Sequence, residues 1–202
     1  MQPTIRVPFF VAFAEPGVPA QPAAPPPPDP AVLAEQAINQ LVIPMPQPHF
    51  GPDRSTIAVQ LWTWLWIDAP APVTSTVELQ GVSVTATATL QSTTWTLGEP
   101  AARNDGDGFQ SGPAATVTCS GPGAPYDASV DWRTEPLCGH MFRWRSTDER
   151  TGGSEKWPVT VTTTWGVTWQ ATTGQTGTAT LTGTAADAVA VSEYRLLLTP
   201  GR

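Results

Sequence analysis

Residues 157–170 read "WPVTVTTTWGVTWQ", and their alternation decides the fold class. Trp157, Val159, Val161, Thr163, Trp165, Val167 and Trp169 share one parity, and Pro158, Thr160, Thr162, Thr164, Thr168 and Gln170 share the other. Successive side chains of a strand point to opposite faces, so this stretch is a strand with one apolar and one threonine-covered face. "TTGQTG" (172–177) then punctuates it as a turn, and "TATLTGT" followed by "AVAVSEYRLLL" supplies further strand material. Upstream, Val82, Val84, Ala86, Ala88 and Leu90 alternate with Ser83, Thr85, Thr87, Thr89 and Gln91 in the same way. Several strands, turn-rich spacers and no second helical pattern predict a mainly β chain built as an antiparallel sandwich.

"LWTWLWI" (61–67) is apolar on both parities, with Trp62, Trp64 and Trp66 on one and Leu61, Leu65 and Ile67 on the other. Such a strand is expected to be covered on both sides. Two tryptophans bury more area than leucine and isoleucine, so Trp64 and Trp66 are expected to point into the core and Leu65 and Ile67 to lie beneath a helix or at a partner interface. The run is far too short to span a bilayer as a helix, and no stretch of about 18 apolar residues occurs elsewhere. A lone spanning strand would leave its edges unsatisfied in lipid, so no membrane span is expected.

Ahead of the strands, "EPGVPAQPAAPPPPDP" (15–30) is a proline-rich linker that favours an extended, semi-rigid polyproline conformation. It serves as a spacer or as a ligand for an SH3-like or WW-like module. "RVPFFVAFAEP" before it makes a poor signal peptide, because its apolar part is minimal and Pro8 interrupts it; it reads as a strand remnant. A helix is predicted over 30–43, capped by Asp29, with Pro30 at its first position and Leu33, Ala37, Ile38 and Leu41 on one face; it is expected to dock through Leu33, Ala37 and Leu41 and to cover the 61–67 strand. The chain thus divides into an N-terminal remnant and linker (1–29), a helix and connector (30–48) and a sandwich domain (55–202).

Composition removes several functions. Ten basic residues face 17 acidic ones in the 202-residue chain, a net charge of −7, with Lys156 as the one lysine. A nucleic-acid binder needs a basic footprint to neutralise phosphates, and an anionic membrane surface needs the same sign, so neither is an expected partner. A P-loop needs a glycine-rich cradle ending in Lys-Ser or Lys-Thr, and Lys156 stands in "SEKWP", which excludes that nucleotide site. Asp105 and Asp107 in "RNDGDGF" make a weak candidate calcium turn around Gly106 and Gly108, yet an EF-hand loop begun at Asp105 reaches Thr116 where a glutamate is required; a solvated Asx/Gly turn is the plainer reading, and no metal or other cofactor is expected. His49 and His140 are the only histidines, and His140 stands two residues from Cys138; neither makes a catalytic site here. Asp68, Asp127, Asp131, Glu135, Asp148 and Glu149 are scattered and read as surface solubility. Cys119 and Cys138 cannot form a structural zinc site alone, leaving free buried thiols or one disulfide. The disulfide is favoured, because both stand in a Gly/Pro-rich region where a cross-link helps most.

Trp95 with Gly98, Cys119 with Gly121, Pro122, Gly123 and Tyr126, Cys138 with Gly139 and His140, Trp165 with Val167 and Trp169, and Glu193 before Leu196, Leu197 and Leu198 follow one another in a set order. That order resembles the PKD-like (Ig-like) domain of actinobacterial extracytoplasmic proteins often labelled "ATP/GTP-binding", and the likeness covers roughly residues 25–200. Glu99 and Pro100 depart from it, since the group has Asp-Gly after the glycine. Next to that group the chain reads as a fragmentary copy without an upstream secretion signal. The resemblance implies an Ig-like, PKD-like antiparallel β-sandwich with one N-terminal α-helix, secreted or held at the cell envelope. Sandwiches of this kind bind through edges, loops and exposed aromatics, which makes a non-catalytic adhesion or assembly module acting on a protein partner the leading expectation. A cell-envelope glycan held by Trp132 and Trp144 is the alternative, followed by an accessory domain of an enzyme whose catalytic part lies elsewhere.

Overall fold

The computed structural model describes residues 26–55, 57–101, 109 and 111–194. Asp29 opens helix α1 (Pro30–Asn39): its carboxylate accepts the Ala31 N–H at 2.9 Å, and Pro30 sits in the first turn, where its missing N–H is no loss. Leu33, Ala34 and Ala37 are buried along one face. The helix stops at Asn39 and does not run on to residue 43 as predicted. Val42 and Ile43 are β-branched, and the ring of Pro44 pushes Ile43 out of the α region. The chain therefore leaves the helix early, and Leu41 enters the core from a connector.

The strands form two antiparallel sheets. A small sheet holds β1 (Pro48–Gly51), β2 (Trp62–Ile67) and β6 (Gly139–Met141) in the order β1-β2-β6. A long sheet holds β3 (Val73–Leu79), β4 (Val82–Pro100), β5 (Ala114–Ser120), β7 (Trp157–Ala171) and β8 (Thr176–Val189). β3 and β5 follow one another along one edge of β4, β7 takes its other edge, and β8 pairs with β7. A single turn of helix, α2 (Asp148–Thr151), lies between β6 and β7. β1 starts at Pro48 inside the stretch read as a connector, so sheet structure begins before residue 55: its backbone is needed to pair the edge of β2. No described helix is long and apolar enough to cross a membrane.

One face of the long sheet carries two covers side by side. Over one half lies the small sheet, whose Phe50, Leu65 and Ile67 meet Trp95, Leu97, Trp157, Val159 and Val161. Over the other half lie α1 and the connector after it, with Leu33 and Ala34 on Val82, Val84 and Ala171, and Ala37 and the connector's Leu41 on Ala86, Ala88, Trp165 and Val167. Each such side chain contributes roughly 1.5–3 kcal/mol by leaving water, before alanines are discounted. β7 buries the expected parity from Trp157 to Val167. β4 buries even positions up to Ala88 and odd ones from Thr93, because a register shift between Leu90 and Ser92 inserts one residue. The bulge keeps one face inward along 19 residues under both covers. The opposite face is carpeted with threonines, among them the contacting hydroxyls of Thr94 and Thr118.

The orientation expected for β2 is reversed. Thr63, Leu65 and Ile67 are 2%, 0% and 4% exposed, and Trp62, Trp64 and Trp66 face away from the core, half-buried. The gap between two packed sheets is only ~10 Å, and the long sheet already fills it with Trp95 and Trp157. Leucine and isoleucine mesh with those indoles where further indoles would overpack. Nor does α1 cover β2; it lies over β3, β4 and β7. Trp165 shares the inward face with Val167 as expected, but the cover there is α1 instead of the opposing sheet.

Cys119 on β5 and Cys138 just before β6 form a disulfide with a Cα–Cα distance of 5.5 Å, which joins the two sheets and closes the intervening loop. A cross-link over a loop of this size contributes on the order of 3 kcal/mol.

Candidate functional site

Trp62 and Trp64 stand on the outer face of the small sheet, and three segments close around them. One carries Pro52, Ile57 and Leu61; its end is fixed by the Gln60 N–H donating to the Phe142 carbonyl at 2.8 Å. A second is the chain after β8. Ser192 bridges to Ala58, with its N–H on the Ile57 carbonyl at 2.9 Å, and this delivers Tyr194. The third is the loop closed by the disulfide. It runs beside β2, where the Ile67 N–H donates to the Pro122 carbonyl at 2.9 Å and Gly123 pairs with Trp66. Gly123 has φ +80°, and a Cβ there would lie 2.4 Å from the Leu65 carbonyl oxygen, so only glycine permits this approach.

Beyond Gly123 the loop crosses the sheet and sets Tyr126 edge-on against Trp64, ring centroids 5.6 Å apart. Two Asx turns follow. Asp127 accepts the Ser129 N–H at 2.8 Å and the Ser129 hydroxyl at 2.7 Å, and Asp131 accepts the Arg133 N–H at 2.8 Å. The Ser129 hydroxyl first, and its N–H second, hold the Asp127 carboxyl below the ordinary aspartate range. These turns present Val130 and Trp132, and the Arg133 guanidinium lies 4.1 Å from the Trp132 ring centroid.

The result is a depression of about 140 Å³ walled by Trp62, Trp64, Tyr126, Trp132 and Tyr194. Tyr126, Trp132 and Tyr194 are 37%, 59% and 63% exposed. None of the residues lining it carries a formal charge. Ring faces, indole N–H groups and phenol hydroxyls suit a neutral ligand with flat or ridged apolar surface.

Of Trp132 and Trp144, the two tryptophans expected to face a ligand, Trp132 stands on the wall of this depression. Trp144 is half-buried beside the sandwich core, edge-on to Phe109 at 5.7 Å and beneath Arg150 at 4.9 Å, and its carbonyl accepts the Trp157 indole N–H at 3.0 Å. It fills space because the segment after β6 folds back against the long sheet. Asp105, Asp107, Gly106 and Gly108 lie outside the described residues. His49 stacks on Trp66 at 5.4 Å and contacts Asp68 at 3.0 Å.

His140 sits elsewhere, on a group with no sequence signal. Glu99 is 1% exposed; its carboxylate accepts His140 Nε2 at 2.5 Å, the Arg143 N–H at 3.0 Å and the Trp144 N–H at 3.1 Å. A buried carboxylate must be satisfied in this way, and here it pins the segment after β6 to the end of β4. Glu99 is thus a structural anchor. A second cleft, about 620 Å³, is the seam between the two covers, with Trp165 at its floor and Pro44, Pro46, Pro70 and Pro72 in its walls.

No family model, curated protein or solved structure matches the chain. The fold and the groove define a mainly β, disulfide-linked sandwich that carries an aromatic-lined depression outside its core.

Proposed function

We propose that this chain is a non-catalytic, extracytoplasmic adhesion or assembly module of PKD-like type that holds its partner through the aromatic groove. The observation that carries this reading is the concentration of five rings, three of them well exposed, around one uncharged depression. Aromatic side chains offer large contact area at small entropic cost and dominate protein interfaces. The disulfide is compatible with an oxidising compartment.

A glycan is the second reading, favoured by the 59% exposure of Trp132. Sugar hydroxyls need many flanking donors and acceptors, and the groove is mostly apolar, so a protein partner fits better. Immobilised full-length chain, compared with a Trp132→Ala/Tyr194→Ala double variant, is screened against peptide and polysaccharide arrays. Peptide binding lost in the variant is the expected result. Polysaccharide binding lost in the variant would give the groove to carbohydrate, and equal binding by both proteins would remove the groove from the function.

A further inference from the structure

The proline-rich segment carries a pattern beyond its composition. Pro16, Pro19, Pro22, Pro25 and Pro28 recur at every third residue, and residues 16–28 hold no charge. A polyproline II helix has three residues per turn, so this spacing places all five rings on one ridge, repeating every ~9.3 Å. Grooves lined by aromatic rings bind such ridges, because pyrrolidine rings lie flat on indole and phenol faces and the ligand loses little entropy on docking. The groove walled by Trp62, Trp64, Tyr126, Trp132 and Tyr194 is uncharged, as is the ridge. The contact between ridge and groove lining therefore sets no charge against charge, although the chain carries a net charge of −7.

The point of attachment decides which copy supplies the ridge. Asp29 caps α1, whose Leu33 and Ala34 pack on Val82, Val84 and Ala171 at one pole of the long sheet. The groove flanks the other pole, where Ile57, Val189 and Val191 pack around Trp157. From Ala171 to Trp157 β7 extends about 46 Å at ~3.3 Å per residue. Residues 16–28 span only ~40 Å even when fully extended as polyproline II. Tethered at the far pole, an arm of that reach is shorter than the strand that separates its tether from its own groove. Pro26 and Pro27 are exposed where the described chain begins.

We infer that residues 16–28 of one copy dock as a polyproline II ridge in the aromatic groove of a second copy, so that the chain self-associates through its own arm. This rests on the groove being the binding surface. Both ends are tested in the full-length chain. Calorimetric titration with a synthetic peptide of residues 16–28 is expected to show binding that weakens at least about fivefold in Trp132→Ala, an exposed site whose loss spares the core. A peptide of the same composition with the period of three broken should bind several-fold less. In sedimentation, self-association should vanish in Trp132→Ala and in Pro19→Ala/Pro22→Ala/Pro25→Ala, and return when those two variants are mixed, since one retains the arm and the other the groove. No peptide binding, equal binding by Trp132→Ala, or a chain that stays monomeric well above the peptide dissociation constant overturns the inference. If the arrays find another ligand that Trp132→Ala loses, the groove stands and the proline occupant falls; if Trp132→Ala changes no binding of any kind, both fall.

Discussion

β7 and β2 both carry tryptophans on alternating positions, yet they turn them in opposite directions. Trp157 and Trp165 of β7 are buried at 3% and 1%, while Trp62, Trp64 and Trp66 of β2 line the outside of the small sheet. On β7 the second parity is threonine, so polarity settles which face goes inward. On β2 both parities are apolar, and polarity settles nothing; the width of the space between the sheets does. Side-chain area is a poor guide in that situation, because a core is limited by shape and volume before it is limited by available apolar surface.

The contrast is sharpest in stability. Trp165→Ala should cost about 3–5 kcal/mol in chemical denaturation, as for any emptied aromatic core site. Trp66→Ala, which removes a half-buried ring stacked on His49, should cost about 1 kcal/mol. Equal losses would mean that β2 packs through its tryptophans after all. Next in size is the disulfide. Cys119→Ala/Cys138→Ala should lose about 3 kcal/mol. It should also weaken ligand binding, because Tyr126 and Trp132 stand on the loop that the bond closes. A variant that loses stability and retains full affinity would show that the groove does not depend on that closure.

Leu41→Asp puts a charge in the core beside α1 and should destabilise by about 2 kcal/mol, whereas Pro19→Ala/Pro22→Ala/Pro25→Ala should leave the stability within about 0.5 kcal/mol of the parent. Similar shifts from both would extend the folded unit into the proline segment. The smallest effect is expected in acid. Asp127 has a depressed folded pKa, so its turn contributes stability above the ordinary aspartate range and loses it as pH falls through the folded value. Peptide binding to the groove should therefore hold steady from roughly pH 7 to 5 and fall only below the aspartate range. A fall beginning near neutrality would assign the effect to another group.

These cases also mark what the sequence could reveal. The strands over 82–91 and 157–170 and the Asp29–Pro30 helix start were legible, since each rests on local alternation or cap chemistry. The disulfide was legible as a preference between two options. The direction of β2 was not, because only the opposing sheet decides it. The bulge near Gln91 has no local mark, and the helix end was hidden by apolar spacing that persists past Asn39. Glu99 and His140 are 41 residues apart and meet only once two strands are folded. Trp132 was visible as a candidate, but its neighbours Trp62, Trp64, Tyr126 and Tyr194 reach it from three separate segments, and no period in the chain announces that convergence.

The long β4–β7 ladder has a mechanical consequence. It runs from the Val84–Ala171 pair to the Thr96–Thr160 pair, and the described chain enters at one pole of that ladder and leaves near the other. A pull between the two ends is thus directed along the strands. Such a load is shared across the ladder's hydrogen bonds at once, in shear, and does not open them one by one as in a zipper. A module strung between two anchors in this way would yield at high force through cooperative sliding of β4 against β7, with α1 peeled off beforehand as the weaker cover.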